Sequence, residues 1–172
     1  MAKLASKYAV VELNNVAGVR TGELVSQYAL ASGVEQIENG MLVVANHAKG
    51  EIELPKSEED VVYLHASVEK LYNGEGRNEF VLKQGSFLPR AYKLGMGDTF
   101  ETNAVKHDKS DINELARAIT ETAGFGIPST DGYIEFKDAQ TPSAKVELKA
   151  VAVVSLPNGE MGIKWRVIKA VA

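Results

Sequence analysis

The chain has 172 residues, of which 45% are apolar and 24% charged, close to a typical folded globular protein; this excludes a disordered or fibrous chain and fits one domain with a sizeable core. It has no cysteine, which removes disulfide scaffolds, zinc knuckles and thiol nucleophiles. The net charge of −4 is unevenly spread: residues 1–80 carry 7 basic and 12 acidic side chains, residues 140–172 carry 5 basic and 2 acidic, and an acidic chain with one locally basic end is not the profile of a nucleic-acid binder.

Lys7 to Leu13 reads as a first strand, closed by Asn14-Asn15 and a loop through Gly18 and Gly22, with Glu23 to Leu30 as its antiparallel return. Met41 to Ala45 and Glu51 to Leu54 form a second hairpin around Asn46 to Gly50, and the glutamates of its second arm mark an edge strand. Asp60 to Ala66 is apolar enough for a central strand, Ser67 to Tyr72 reads as a turn or a single helical turn, Asn73 to Asn78 as an exposed loop, and Glu79 to Lys83 as another strand. Between Leu88 and Val105, Pro89, Gly95 and Gly97 break the chain into short strands of the kind found at the corners of a small barrel.

A short helix is predicted over 111–122, with Ser110 or Asp111 as its cap and Ile112, Leu115, Ala116 and Ile119 at helical spacing. Gly124 to Pro128 then reads as a loop, Asp131-Gly132 as a turn and Tyr133 to Lys137 as a strand. The last segment, 145–172, alternates through Val146, Leu148, Ala150, Ala152, Val154 and Leu156, turns at Pro157-Asn158-Gly159-Glu160, and resumes at Met161, Ile163, Trp165 and Val167. Pairing Leu156 with Met161 sets Ala152 opposite Trp165 and makes one face apolar, whereas a three-residue loop through Gly159 mixes the faces, so the first register is preferred. The expected fold is therefore mainly β: one domain over 1–172, an antiparallel sandwich or small barrel built of hairpins, with an N-terminal arm at 1–7.

Motifs that carry chemistry are sparse. Gly95-Met96-Gly97-Asp98 lacks the third glycine and the Lys-Ser/Thr pair of a phosphate loop and reads as a tight turn. His47, His65 and His107 have no ligand-spaced partners, Glu58-Glu59-Asp60 splay as a solvated loop, and no nucleophile elbow occurs. The reading is no enzyme, no cofactor and no metal. The candidate site is the basic face of the terminal hairpin, Lys145, Lys149, Lys164, Arg166 and Lys169, expected to contact a protein partner rather than nucleic acid or membrane. No apolar run reaches the roughly 18 residues that cross a bilayer, and Met1 to Ser6 lacks a signal-peptide core, which places the chain in the cytoplasm or among proteins released by lysis.

The segment Phe87-Leu88-Pro89-Arg90 through Leu94-Gly95-Met96-Gly97-Asp98-Thr99-Phe100-Glu101-Thr102-Asn103, together with Tyr8-Ala9-Val10-Val11-Glu12-Leu13, resembles the small capsid decoration proteins encoded among the head genes of tailed bacteriophages. That resemblance implies a virion structural protein, assembled in the host cytoplasm, that binds the outside of the shell as a symmetric oligomer and clamps the major capsid protein against internal pressure. Competing readings are a tail or head-tail connector component, bridging subunits through the Asn73 to Asn78 or Gly124 to Pro128 loops, and a soluble ligand- or carbohydrate-binding β domain.

Overall fold

The computed structural model describes residues 1–67 and 77–171; the turn expected over Ser67 to Tyr72 and the loop over Asn73 to Asn78 fall almost wholly outside the described residues. The elements in chain order are β1 (Ala2–Lys3), β2 (Val11–Asn15), α1 (Ala17–Thr21), β3 (Leu24–Val25), β4 (Ala29–Leu30), β5 (Gln36–Ile37), β6 (Leu42–Asn46), β7 (Glu51–Glu53), β8 (Tyr63–His65), the 3-10 turn Arg77–Glu79, β9 (Leu82–Lys83), β10 (Ala91–Lys93), β11 (Thr99–Thr102), β12 (Val105–His107), α2 (Ile112–Glu121), β13 (Gly124–Pro128), β14 (Ile134–Lys137), β15 (Val146–Ser155) and β16 (Met161–Ala170). The fold is mainly β, as the alternation of the sequence requires.

An eight-stranded sheet runs in the order β1-β12-β14-β13-β15-β16-β11-β2. Strands β11 and β12 lie near its opposite edges, yet only Asn103 and Ala104 separate them in the chain. Since each peptide spans about 3.8 Å, the adjoining ends of those two strands are within roughly 11 Å of each other; the sheet curls into a half-barrel whose second and seventh strands are two halves of one bent segment. Trp165, Phe100, Leu148, Ile163 and Ile134 fill its interior, all fully buried. A second sheet, β3-β10-β8-β6-β7-β4, sends Leu42 and Leu64 into that core. Its other face carries Val43, Ile52 and Ala91 against Ile37 and Leu82 of the small β5-β9 ribbon.

Several expectations are corrected by this topology. The opening meander does not form: β2 pairs with β11, β3 with β10 and β4 in parallel with β7. Strand β7 does hairpin with β6, but β4 covers its other side, so it is not an edge, and Glu53 is half-covered by Asn46, Lys49 and Lys56. Gly18 lies in the extra helix α1 instead of a loop, and glycine is needed there because a Cβ would lie 2.8 Å from the backbone of Lys93. Gly124 to Pro128 is a central strand between β14 and β15. Its glycines mislead a sequence reading: they are there because the rings of Phe136 and Trp165 occupy the space of a Cβ at Gly124 and Gly126.

Helix α2 matches its predicted cap, with Asp111 accepting from the amides of Asn113 and Glu114 at 2.8 and 2.9 Å. The long hairpin forms over the predicted residues but in the register that the faces argue against. Leu156 closes on Glu160, Gly159 takes φ +82°, and Ser155 stands opposite Met161. This is the three-residue loop with a left-handed glycine that Pro157-Asn158-Gly159 favours. A bulge at Val151 then shifts the ladder by one, so that Ala150 faces Trp165 and Leu148 faces Val167. The faces stay segregated because the bulge compensates the turn. Trp165→Ala should cost about 3–5 kcal/mol of stability through the cavity it leaves, whereas Met161→Ala on the exposed side of the same strand should shift a urea midpoint little; equal shifts would contradict this packing.

Candidate functional site

Two polar groupings stand out, one outside the half-barrel and one inside the junction between sheets. Outside, the ladder registers line up a single row across six strands: Lys137 pairs with Phe125, Phe125 with Lys149, Lys149 with Arg166, Arg166 with Thr99, and Thr99 with Asn15. Directly paired residues project to the same face of a sheet, and Lys149 and Arg166 are exposed there. With strands about 4.8 Å apart, three cations occupy a stretch of roughly 15 Å around a half-buried phenyl ring. Lys137 is held by Glu135 at 2.5 Å. Lys149 and Arg166 form no ion pair among the described residues, and like charges directly opposite each other on neighbouring strands cost stability, on the order of 0.2–1 kcal/mol.

The five basic residues expected to form one face are therefore split three ways. Lys149 and Arg166 sit side by side at the centre of the row. Lys164 projects one row further along β16 and is neutralised by Glu101 of β11 at 3.2 Å. Lys169 donates to the carbonyl of Pro142 at 2.8 Å, and Lys145 is exposed at the start of the hairpin, its backbone tied to Glu58 and Val171. Lys137 and Phe125 are members of the row that the sequence reading missed. They become neighbours of Lys149 only once Gly124–Pro128 is recognised as a strand.

Inside, the amide of Ala9 donates to the Glu38 carboxylate at 2.7 Å and the amide of Val10 to Asn103 Oδ1 at 2.7 Å. Thr102 Oγ1 returns a hydrogen bond to the Val10 carbonyl at 2.7 Å, and Asn103 Nδ2 donates to Glu160 at 2.5 Å. Ser6 and Asn78 also bond to Glu160. The expected N-terminal arm is thus laid along the chain itself, with Ala2 and Lys3 paired to β12. Deeper in the junction, His65 Nδ1 lies 2.8 Å from the Glu38 carbonyl oxygen and Nε2 lies 2.7 Å from Ser67 Oγ. Nδ1 must donate to that carbonyl, so Nε2 accepts the serine proton.

A serine hydroxyl aimed at an imidazole is the beginning of a nucleophile and base pair. Here, however, the Ser67 oxygen also accepts the amide of Arg90 at 3.0 Å, and the Ser67 amide donates to Asn39 Oδ1 at 2.9 Å. The hydroxyl is spent on tying β8 to the strand that follows it in the sheet. Among the described residues no group of three or more His, Asp or Glu side chains is placed to hold a metal, and no helix is long and apolar enough to cross a membrane.

Burial lowers the His65 pKa to about 4 from an ordinary 6.5, opposed only by its bond to the Glu38 carbonyl. A base whose folded pKa is depressed leaves the unfolded chain holding more protons between those values, so stability is complete above pH 6.5 and falls as pH drops toward 4. The gap is worth about 3 kcal/mol at most. The slope of denaturation free energy against pH in that window should flatten in His65→Asn; an unchanged slope would show that His65 is not its source.

Comparison of the chain with protein-family models, with curated proteins and with solved structures returns no match.

Proposed function

We propose that this chain is a non-catalytic structural protein that binds the outer surface of a bacteriophage capsid and bridges neighbouring subunits of the major capsid protein, as its sequence resemblance to capsid decoration proteins implies. The observation that carries the reading is the Lys149-Arg166 pair: two cations held side by side on rigid neighbouring strands, at a cost to the isolated fold and without an ion-pair partner among the described residues. An acidic protein surface relieves that repulsion on binding. Many copies attached by one modest contact each give a strong clamp through multivalency.

A protein partner suits the row better than a nucleic acid. The rows on either side of it carry carboxylates, Glu101 and Glu12 on one side and Glu135 on the other, which would oppose a continuous phosphate backbone, and the net charge is −4. The connector reading is weaker because one of the two loops it relied on is the central strand β13. The ligand-binding reading has one supporting feature, a cleft of about 440 Å³ lined by Ser57, Ser129, Thr130 and Thr141 with Glu58 and Glu135, but no aromatic ring lines it to stack on a sugar.

Lys149→Glu with Arg166→Glu should abolish co-sedimentation with purified capsids while leaving the melting temperature nearly unchanged, because a like-charge pair replaces a like-charge pair. Attachment of the unaltered chain should weaken as salt rises, since exposed charges are screened over about 10 Å at 0.1 M. Retained attachment of the double variant at every salt concentration would sink the proposal.

A further inference from the structure

The basic row is longer than its two central cations. Beyond Arg166 it continues through Thr99 to the exposed Asn15, and Asn15 Oδ1 accepts a hydrogen bond from Arg20 Nη1 of α1. Arg20 is exposed and, like Lys149 and Arg166, forms no ion pair among the described residues. Phe125 lies at the other end of the row, half-buried between Lys137 and Lys149. From Phe125 to Asn15 the row crosses β13, β15, β16, β11 and β2 in turn, and strand spacings of about 4.8 Å give it a length of roughly 19 Å.

The row is also narrow. Residues two positions away on the same strand share its face about 7 Å further along, and there the carboxylates begin, each already bonded. Glu101 binds Lys164 at 3.2 Å and Asn14 at 2.8 Å on one side, and Glu135 binds Lys137 at 2.5 Å on the other. Free positive charge is thus confined to a strip one residue wide, with Lys149 and Arg166 untied inside it, Arg20 untied at its end, and neutral pairs along its margins.

That shape selects the ligand. An α-helix is about 10–12 Å across, whereas an extended chain occupies about 4.8 Å. A helix or a broad acidic patch would set some of its carboxylates over Glu101 and Glu135, where no cation is free. A single extended chain meets the free cations alone, and about six residues at roughly 3.3 Å each span the row. A single-stranded nucleic acid has the right sign, but such strands bind by stacking bases on successive aromatic rings, and Phe125 is the one ring in the row.

We infer that the ligand of this strip is an extended acidic peptide segment of a partner protein, lying across the strands with its carboxylates on Lys149, Arg166 and Arg20 and an apolar side chain on Phe125. The inference rests on the reading of the row as a partner contact and adds the form that the partner takes there.

The test uses the whole chain and two fluorescein-labelled peptides of about seven residues, all glutamate except for a leucine at the first or the last position, followed by fluorescence anisotropy at low salt. At least one should bind, more weakly as salt rises and more weakly when its leucine is replaced by glycine. An exposed ion pair is worth at most about fivefold in affinity, so Arg20→Gln should weaken binding about two- to fivefold, and Lys149→Gln with Arg166→Gln about four- to 25-fold. Lys145→Gln, off the row, should leave it unchanged. The same peptide locked as a helix by a side-chain staple should bind the unaltered chain more weakly, a comparison that holds even if a variant folds poorly. Absence of binding at low salt, equal affinity of the stapled form, equal losses from Lys145→Gln and Arg20→Gln, or tighter binding of a labelled oligothymidylate than of either peptide overturns the inference. No capsid is present in this assay. Capsid attachment that depends on Lys149 and Arg166 without peptide binding removes this inference and leaves the capsid reading, and the reverse pattern removes the capsid reading alone.

Discussion

The fold turns on one bend. Between Thr102 and Val105 the chain passes from one end of the curled sheet to the other, and at that corner the strand ladder is interrupted. Backbone groups left without ladder partners in a buried place would each cost about 1–3 kcal/mol, and the side chains at the corner supply the missing bonds. Asn103 Oδ1 takes the Val10 amide, Thr102 Oγ1 serves both the Val10 carbonyl and the Ala104 amide, and Asn103 Nδ2 reaches Glu160 at the tip of the long hairpin. Both Thr102 and Asn103 are fully buried. Gly40 presses on the same corner: a Cβ there would lie 2.0 Å from Thr102 Oγ1, and its φ of +87° suits glycine alone. The second sheet, the N-terminal segment and the hairpin are registered against one another through these few atoms.

That closure also fixes the exterior. Each residue of the row from Lys137 to Asn15 is fixed by ladder pairing to its neighbours, so the cations cannot separate to relieve their repulsion except by rotamer changes. Lys164 and Lys169, in contrast, are already satisfied by Glu101 and Pro142. The hairpin thus divides its basic residues between internal bonds and outward display. Its apolar side meanwhile fills the half-barrel, so one pair of strands packs the core with one face and displays cations on the other.

Much of this was legible in the sequence, and the parts that were not share a cause. Alternation revealed the strands at 42–46, 63–65 and 134–137 and the extent of the final hairpin, and the Asp111 cap located α2. Strand partners were not legible, because the bent strand at 99–107 pairs β2 at one end and β14 at the other, contacts separated by tens of residues with no local signal. Glycine was the main source of error. At Gly124 and Gly126 it signals a ring packed on the backbone instead of a turn, and at Gly159 it selects the turn that shifts the register. Small-opposite-large packing against Trp165 was sound as a principle, but the partner is Ala150, since the bulge at Val151 could not be anticipated from alternation. Of the basic row, Lys149 and Arg166 were legible in the hairpin pattern, while the positions of Phe125 and Lys137 beside them required the sheet order.

The most direct measurement is a cryo-electron microscopy map of purified phage capsids incubated with the chain. If the row displays its charges for a capsid partner, added density will sit on the outer shell with β13, β15 and β16 turned inward and Lys149 and Arg166 against acidic side chains of the capsid protein. Density in which that row faces solvent, or a shell that gains none at saturating protein, would contradict it.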